Sequence, residues 1–193
     1  MNPGKFDEHL TVVTERLVLR PFGPGDARQI RSVVAAGEAF LPPGAPGHVA
    51  SVDQWLSFGV HELWRSGQGI HLAMTAREAD GAAGEAGEAT IVGAISLFRT
   101  AWGLGSTEVG YGVRPRYRGR GYATEATIGL TRWALRSGGL RRVELRAHPD
   151  NLASLRVAEK AGFVREGVLR EASLAADGPR DLVIFGLLRQ DLP

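Results

Sequence analysis

Residues 107–147 hold the feature that most constrains this chain: a strand, a basic glycine-bearing loop, a helix and a second strand in direct succession. The run TEVGYGV (107–113) reads as a strand and ends ahead of Pro115, which has no amide donor to continue a ladder. From Gly121 to Ser137 the apolar residues Ala126, Leu130, Trp133 and Ala134 recur at helical spacing. Residues 141–147 (RRVELRA) return to a strand pattern. Such a unit crosses over right-handed and leaves its two strands parallel. Ligands of α/β sheets bind beyond the carboxyl ends of those strands. The segment RPRYRGRGYATEA (114–126) stands at that position.

The loop has the parts of a phosphate cradle. Gly119 and Gly121 permit left-handed backbone and close approach of a ligand. The first amides of the following helix lack internal partners, and the helix dipole adds about half a positive charge there. The same residues also suit a tight surface turn with solvated arginines. The loop is not a Walker-type P-loop, since no Gly-x-x-x-x-Gly-Lys-Ser/Thr run exists, and Thr124 stands where the dinucleotide fingerprint needs a third glycine. A single-strand nucleic-acid surface would interleave more aromatics than Tyr117 and Tyr122.

Around this unit the chain reads as β-α-α-β-β-β-α-β-α-β-β, a mixed sheet with helices in one domain spanning 1–193. Residues 11–20 form a first strand stopped by Pro21. Asp26 caps a short helix carrying Ile30, Val33 and Val34, and Ser51 caps one helix running to Gly67 with Trp55, Phe58 and Trp64 packing it. Residues 40–48 (FLPPGAPGH) are a Pro/Gly loop. Strands follow at 70–76 and 90–99; between them, 77–89 is glycine, alanine and glutamate without a large apolar residue, a long mobile hairpin loop. Residues 151–161 form a helix ended by Gly162, and 163–170 and 181–189 a closing hairpin.

Bulk properties exclude several classes. The absence of cysteine removes disulfides, thiol nucleophiles and cysteine metal sites. No metal is expected, because His61 and His71 lack ligand-like spacing. No apolar stretch approaches the roughly 18 residues of a membrane span. The start MNPGKFDEHL lacks a signal-peptide pattern, so a cytoplasmic location without membrane association is expected. The net charge is only +2, with arginine far outnumbering lysine, so no nucleic-acid partner is expected.

Two motifs carry a family resemblance. Arg116-Tyr117-Arg118-Gly119-Arg120-Gly121 resembles the Arg/Gln-x-x-Gly-x-Gly/Ala signature of the GNAT superfamily of N-acetyltransferases. Downstream, Asn151-Leu-Ala-Ser154 continuing to Glu159-Lys160-Ala-Gly162-Phe163 is similar to the Asn-x-x-Ser-x-x-x-x-Glu-Lys-x-Gly-Phe motif of its RimJ/RimL-like branch. The 14–21 strand and the turn at Asp177-Gly178 resemble that branch as well. The resemblance implies the GNAT fold: an α/β (α+β) mixed sheet, mostly antiparallel, with a β-α-β crossover and splayed central strands, flanked by helices.

It also implies acetyl-coenzyme A as cofactor, with its pyrophosphate on Arg118, Gly119, Arg120, Gly121, Tyr122, Ala123 and Thr124, its pantetheine arm along the strand ending at Val113, and Asn151 as a further contact. The acceptor is then a primary amine, either a protein N-terminus or a small molecule, which attacks the thioester directly in a ternary complex. Homodimers are common in the branch. The general base stays open on the residues. Glu108 shares a strand face with Gly110 and Gly112, Glu144 lies on the partner strand, and His148 follows that strand's end. Gly110 and Gly112 either thin the face for the arm or pack closely on a neighbour. Many family members carry a tyrosine seven residues after the motif asparagine; that position is Ala158 here, and Ser154 is then the implied proton donor to the leaving thiolate. Ser173 stands where some relatives carry a carboxylate. A GNAT-like module that binds acyl-CoA without turnover is the alternative.

Overall fold

The structure, a computed structural model, describes residues 4–77 and 89–192. Strands β1 (Val12–Val13) and β2 (Leu17–Pro21) precede α1 (Ala27–Ala35), α2 (Val52–Ser57) and α3 (Glu62–Arg65). Then come β3 (Ile70–Ala76), β4 (Ile91–Ala101), β5 (Ser106–Val113), α4 (Tyr122–Arg136), β6 (Arg142–Ala147), α5 (Leu152–Lys160), β7 (Val164–Ala175) and β8 (Gly178–Leu188). All eight strands join one sheet in the order β1-β2-β3-β4-β5-β6-β8-β7. Every pairing is antiparallel except β5 with β6. This is the mixed, mostly antiparallel sheet with a β-α-β crossover that the sequence implies.

The parallel pairing is short. It covers Ser106↔Arg142, Thr107↔Val143 and Glu108↔Glu144 and goes no further. Beyond Glu108, β5 continues to Val113 bonded only to β4, and β6 continues to Ala147 bonded only to β8. The sheet therefore opens between its two parallel strands at their carboxyl ends.

Strand alternation divides the core between the two faces. One face sends Leu17, Leu19, Leu72, Met74, Ile95, Leu97, Val109 and Val143 against the apolar stripe of α4, where Ala126, Leu130 and Ala134 are fully buried. The other face packs Ala73 and Ala94 under α1 and α2, against Ile30, Val33, Trp55 and Leu56. Each alternate face of the same strands thus has its own helical cover, which is why β3 and β4 are apolar on both sides.

Several expectations are corrected. Residues 11–20 are not one strand. Thr14 N donates to Leu17 O and the chain reverses, so β1 pairs back on β2 as a small hairpin. The stretch from Ser51 to Gly67 is not one helix. Phe58 leaves helical geometry at φ −134° and splits it into α2 and α3; its ring is exposed and does not pack the helix. Neither Asp26 nor Ser51 caps its α-helix through its side chain, though Asp26 accepts from the Gly23 amide at 2.9 Å in the turn before α1. The Asp26 carboxylate also takes the Arg20 guanidinium at 2.6 and 2.9 Å. The closing hairpin is longer than expected, reaching Ala175 and resuming at Gly178. The expected hairpin loop at 77–89 lies outside the described residues except for its two end positions.

Candidate active site

The carboxyl end of β5, the loop after it and the start of α4 form one side of the opening. Gly119 and Gly121 both adopt left-handed backbone, φ +76° and +82°. Gly121 is the N-cap of α4, with no side-chain cap. The first intrahelical bond is Glu125 N to Gly121 O, so the amides of Ala123 and Thr124 precede the helix ladder. Tyr122 is 2 % exposed, and its side chain packs in the core.

The arginines of the loop divide their work. Arg114 is buried and makes a two-pronged ion pair with Glu38, both contacts at 2.9 Å, tying the segment after α1 to the end of β5. That pairing holds the Glu38 carboxyl below its usual range. Arg118 turns back and donates to the Val113 carbonyl at 3.1 Å. Arg116 and Arg120 both lie over the Tyr117 ring.

A clamp that the sequence did not reveal holds this loop from behind. Glu125, in the first turn of α4, accepts from Thr14 Oγ1 at 2.6 Å, from the Arg16 amide at 2.7 Å and from Arg16 Nε at 2.7 Å. Arg16 also donates to the Arg120 carbonyl at 3.0 Å. Burial works to raise the Glu125 pKa, but the donors from Thr14 and Arg16 outweigh it and hold it below the ordinary carboxylate value. The amino-terminal hairpin thus fixes the start of α4. These contacts join residues more than a hundred positions apart, and no local pattern announces them.

The other side of the opening is the end of β6 and the start of α5. Asn151 is the N-cap of α5, and its Oδ1 accepts from Ser154 N at 3.1 Å. The Asn151 amide in turn bonds the His148 carbonyl. Ser154 lies in the first turn, with Ala158 fully buried one turn on.

At the apex, where the strands part, Glu108 and Glu144 face each other in register. Both are engaged by arginine. Glu108 takes Arg99 Nη1 at 2.9 Å and has Arg146 Nε at 3.5 Å. Glu144 takes Arg142 at 3.0 Å and Arg146 at 2.8 Å. Burial would raise the Glu144 pKa, but the bonds from Arg146 and Arg142 prevail and lower it. The Glu144 carboxylate is therefore a weaker proton acceptor than a free one.

A cavity of about 1250 Å³ lies on the face that carries Gly110 and Gly112. The Pro/Gly loop forms one wall, α3 another, and the β4–β5 face the floor. A Cβ on Gly112 would meet the Phe40 backbone at 2.4 Å, and one on Gly110 the Phe98 ring at 2.9 Å. These glycines therefore let Phe40 and Phe98 approach the strand. Trp102 does not border the cavity. Its indole N–H bonds the Gly67 carbonyl at 2.8 Å and its ring packs on Phe6.

His71 on β3 lines the cavity, and its Nδ1 is 2.6 Å from Ser96 Oγ. Sequence reading set it aside for want of metal-ligand spacing; the alternation of Ile70, Leu72 and Met74 could have turned it to the cavity face. Burial, with His61 nearby, holds its pKa down to about 4. The unfolded chain takes up this proton first, at its ordinary value of about 6.5. Stability therefore falls as pH drops from about 6.5 through 4, by on the order of 2 kcal/mol for a partly exposed group. Chemical unfolding of His71→Asn across that interval should show this part of the slope removed.

Comparison with known proteins follows the same lines. Residues 16–164 match the family described as "Acetyltransferase (GNAT) domain". The uncharacterized N-acetyltransferase YoaA of Bacillus subtilis is 25% identical over 91% of this chain and 95% of its own. The ribosomal-protein-serine acetyltransferase of Escherichia coli is 31% identical over 51% of this chain and 55% of its own. The aligned part spans about half the length of several such relatives, 49% of p20 from Bacillus licheniformis for instance. Among solved structures, Mycobacterium smegmatis RimJ in complex with CoA-disulfide superposes with a TM-score of 0.79 at 25% identity, over 100% of this chain and 92% of that one. With the opened parallel pair, the left-handed glycine loop and these matches together, the chain belongs to the GNAT acetyltransferase family, in its RimJ/RimL-like branch.

Proposed function

We propose that this protein is an acetyl-CoA-dependent N-acetyltransferase, moving the acetyl group to a primary amine by direct attack in a ternary complex. The observation that carries the reading is the pair of left-handed glycines, Gly119 and Gly121, at the start of α4 beside the parted ends of β5 and β6. The residues fit the cofactor. The start of a helix behind two glycines without Cβ atoms suits a pyrophosphate, and a buried hydroxyl without a partner among the described residues, on Tyr111, lies beside the opening. When bound, acetyl-CoA supplies the acetyl thioester.

The chain's own residues would do the rest. The amides of Gly119 to Thr124, with Arg118 and Arg120, would hold the pyrophosphate. The free edge of β5 up to Val113 would align the arm, and Asn151 would hold α5 in place at its other side. Ser154 Oγ would donate to the departing sulfur. In the overall reaction the amine nitrogen loses one proton and the sulfur gains one. Glu108 and Glu144 would keep the apex charged and ordered, and either would take the amine proton only through water, because arginines occupy both. An α-amine with pKa about 8 needs little help at neutral pH, unlike a lysine at about 10.4.

The cavity on the Gly110–Gly112 face would receive the acceptor. Its walls are largely apolar, with Ser66, Gln68, His71 and Ser96 and the carboxylates Glu38 and Glu62 as polar groups on its lining. With Glu38 held by Arg114 and Glu62 facing Arg65, it suits an amine borne on an apolar body or a peptide N-terminus. The engaged carboxylates favour one other reading, an acyl-CoA-binding module without turnover. Thiol release from acetyl-CoA, measured with a panel of peptide N-termini (one beginning with serine) and small amines, separates the two. Release that depends on the amine is expected. Saturable acetyl-CoA binding with no release on any amine would favour the module.

A further inference from the structure

Arg114 follows β5 directly and joins three parts of the site. Its amide bonds the Val92 carbonyl at 2.9 Å and closes the ladder with β4. Its carbonyl accepts from the Tyr117 amide at 2.9 Å and opens the turn that leads to Gly119 and Gly121. Its guanidinium reaches both oxygens of Glu38, and lies 5.8 Å from the Phe40 ring centre and 6.0 Å from that of Tyr117. Glu38 and Phe40 begin the Pro/Gly segment that walls the cavity. That segment has little else to hold it. Pro42, Pro43 and Pro46 have no amide to donate. Among the described residues, the backbone bonds of 39–47 come down to one, Ala45 N to Pro42 O at 3.1 Å. Phe40 is the anchor: its ring is buried, and its backbone lies so close to Gly112 that a Cβ there would meet the Phe40 carbonyl oxygen at 2.4 Å. The wall therefore rests on Phe40 and is tied, through Glu38, to the residue that opens the glycine loop.

We infer that Glu38 and Arg114 are a positioning pair that couples the two halves of the site: a cofactor held at the glycine loop orders the Pro/Gly wall, and the acceptor cavity takes its working shape when that loop is filled. The physical reason is stiffness. Two hydrogen bonds at 2.9 Å on one planar guanidinium fix both its position and its plane. Arg114 is buried, so water cannot replace Glu38, and parting the pair would strand a charge in the interior. A shift of the turn at 115–117 is therefore passed on to Glu38 and is not absorbed by a swinging side chain. The Tyr117 ring adds a second link, because Arg116 and Arg120 lie over it as Arg114 does. The coupling runs both ways: an acceptor that settles the wall tightens cofactor binding by the same factor. This inference rests on the acetyltransferase reading and adds Glu38, a residue far from both motifs in the chain.

Hydrogen–deuterium exchange of the wild type, with and without saturating coenzyme A, tests this without turnover. Exchange across 39–47 is expected to slow at least about fivefold on binding, the low end of couplings between two sites. The turn at 102–105, at the other end of β5, should not change. Glu38→Gln keeps the size of the side chain and removes its charge. That variant should still bind coenzyme A, within about threefold of the wild type, while its 39–47 segment exchanges faster and no longer responds. In turnover with the amine panel, its acceptor KM should rise about tenfold with kcat within about threefold, a split that general destabilisation does not produce. Arg114→Lys keeps the charge but cannot make the two-pronged pair, and should reproduce the lost response. Coenzyme A that binds the wild type and leaves exchange at 39–47 unchanged would overturn the inference, with no variant needed. So would a Glu38→Gln protein whose segment responds as the wild type does. Failure of the wild type to bind coenzyme A at all is a separate result that removes the acetyltransferase reading, and the inference with it.

Discussion

Glu125→Ala should lower stability by about 2–3 kcal/mol, toward the low end for a broken buried pair because Arg16 is partly exposed. In a chain of this size that corresponds to a drop in melting temperature of about 5–10 °C. The carboxylate gathers three hydrogen bonds and an ion pair from Thr14 and Arg16, and its loss leaves the Arg16 guanidinium facing an empty position. The effect should reach the loop, because Arg16 also holds the Arg120 carbonyl. Acetyl-CoA affinity should therefore fall along with stability. Glu125→Gln keeps the size and part of the bonding and should lie between the two. The pH dependence has a definite sign. Because the folded Glu125 pKa is lowered, its contribution is present above the ordinary carboxylate value and is lost as pH falls through the lowered one. A wild-type acid-unfolding curve steeper than that of Glu125→Ala in this interval is the expected comparison; coincident melting temperatures would mean that the clamp contributes nothing.

Gly121→Val should have the largest effect on cofactor binding. Gly121 stands at φ +82°, where a side chain is strained by about 1–2 kcal/mol and a β-branched one by more. A Cβ would also sit 3.4 Å from an Arg16 guanidinium nitrogen. Relieving that strain rotates the peptide that leads into the first helix amides. Acetyl-CoA affinity should drop about tenfold for Gly121→Ala and further for Gly121→Val. Gly103→Ala is the control, since its Cβ would meet nothing within 4 Å and its backbone is not left-handed. Isothermal titration of the three variants with acetyl-CoA gives the comparison directly. Equal affinities would show that the backbone of this loop is not where the pyrophosphate rests.

The parts of the fold visible in the sequence are those encoded by near neighbours. The strand–loop–helix–strand order at 107–147 was legible because each element carries its own period and its own punctuation: Pro115 ending the strand, Gly121 opening the helix. The start of α5 at Asn151 was legible for the same reason. Local patterns misled where a single residue redirects the chain. The β-branched run at 11–20 hides a reversal at Thr14, and the apolar spacing at 51–67 hides a break at Phe58. Long-range pairs were out of reach altogether. Nothing near Arg114 foretells Glu38, so its place as an internal strut could not be read from the loop. Nothing near Glu108 foretells that Arg99 and Arg146 would occupy it. Tyr111 was masked by the glycines on either side, which drew attention to the other face of the strand.

The central claim is that the loop at Gly119 and Gly121, with the first turn of α4, holds the pyrophosphate of acetyl-CoA. Amide nuclear magnetic resonance during an acetyl-CoA titration tests it most directly. The account predicts saturable shifts concentrated on Gly119, Arg120, Gly121, Tyr122, Ala123 and Thr124, with a second group near Tyr111 and Ser154. Saturable binding that leaves those six amides unmoved, or no binding at high micromolar acetyl-CoA, would contradict it.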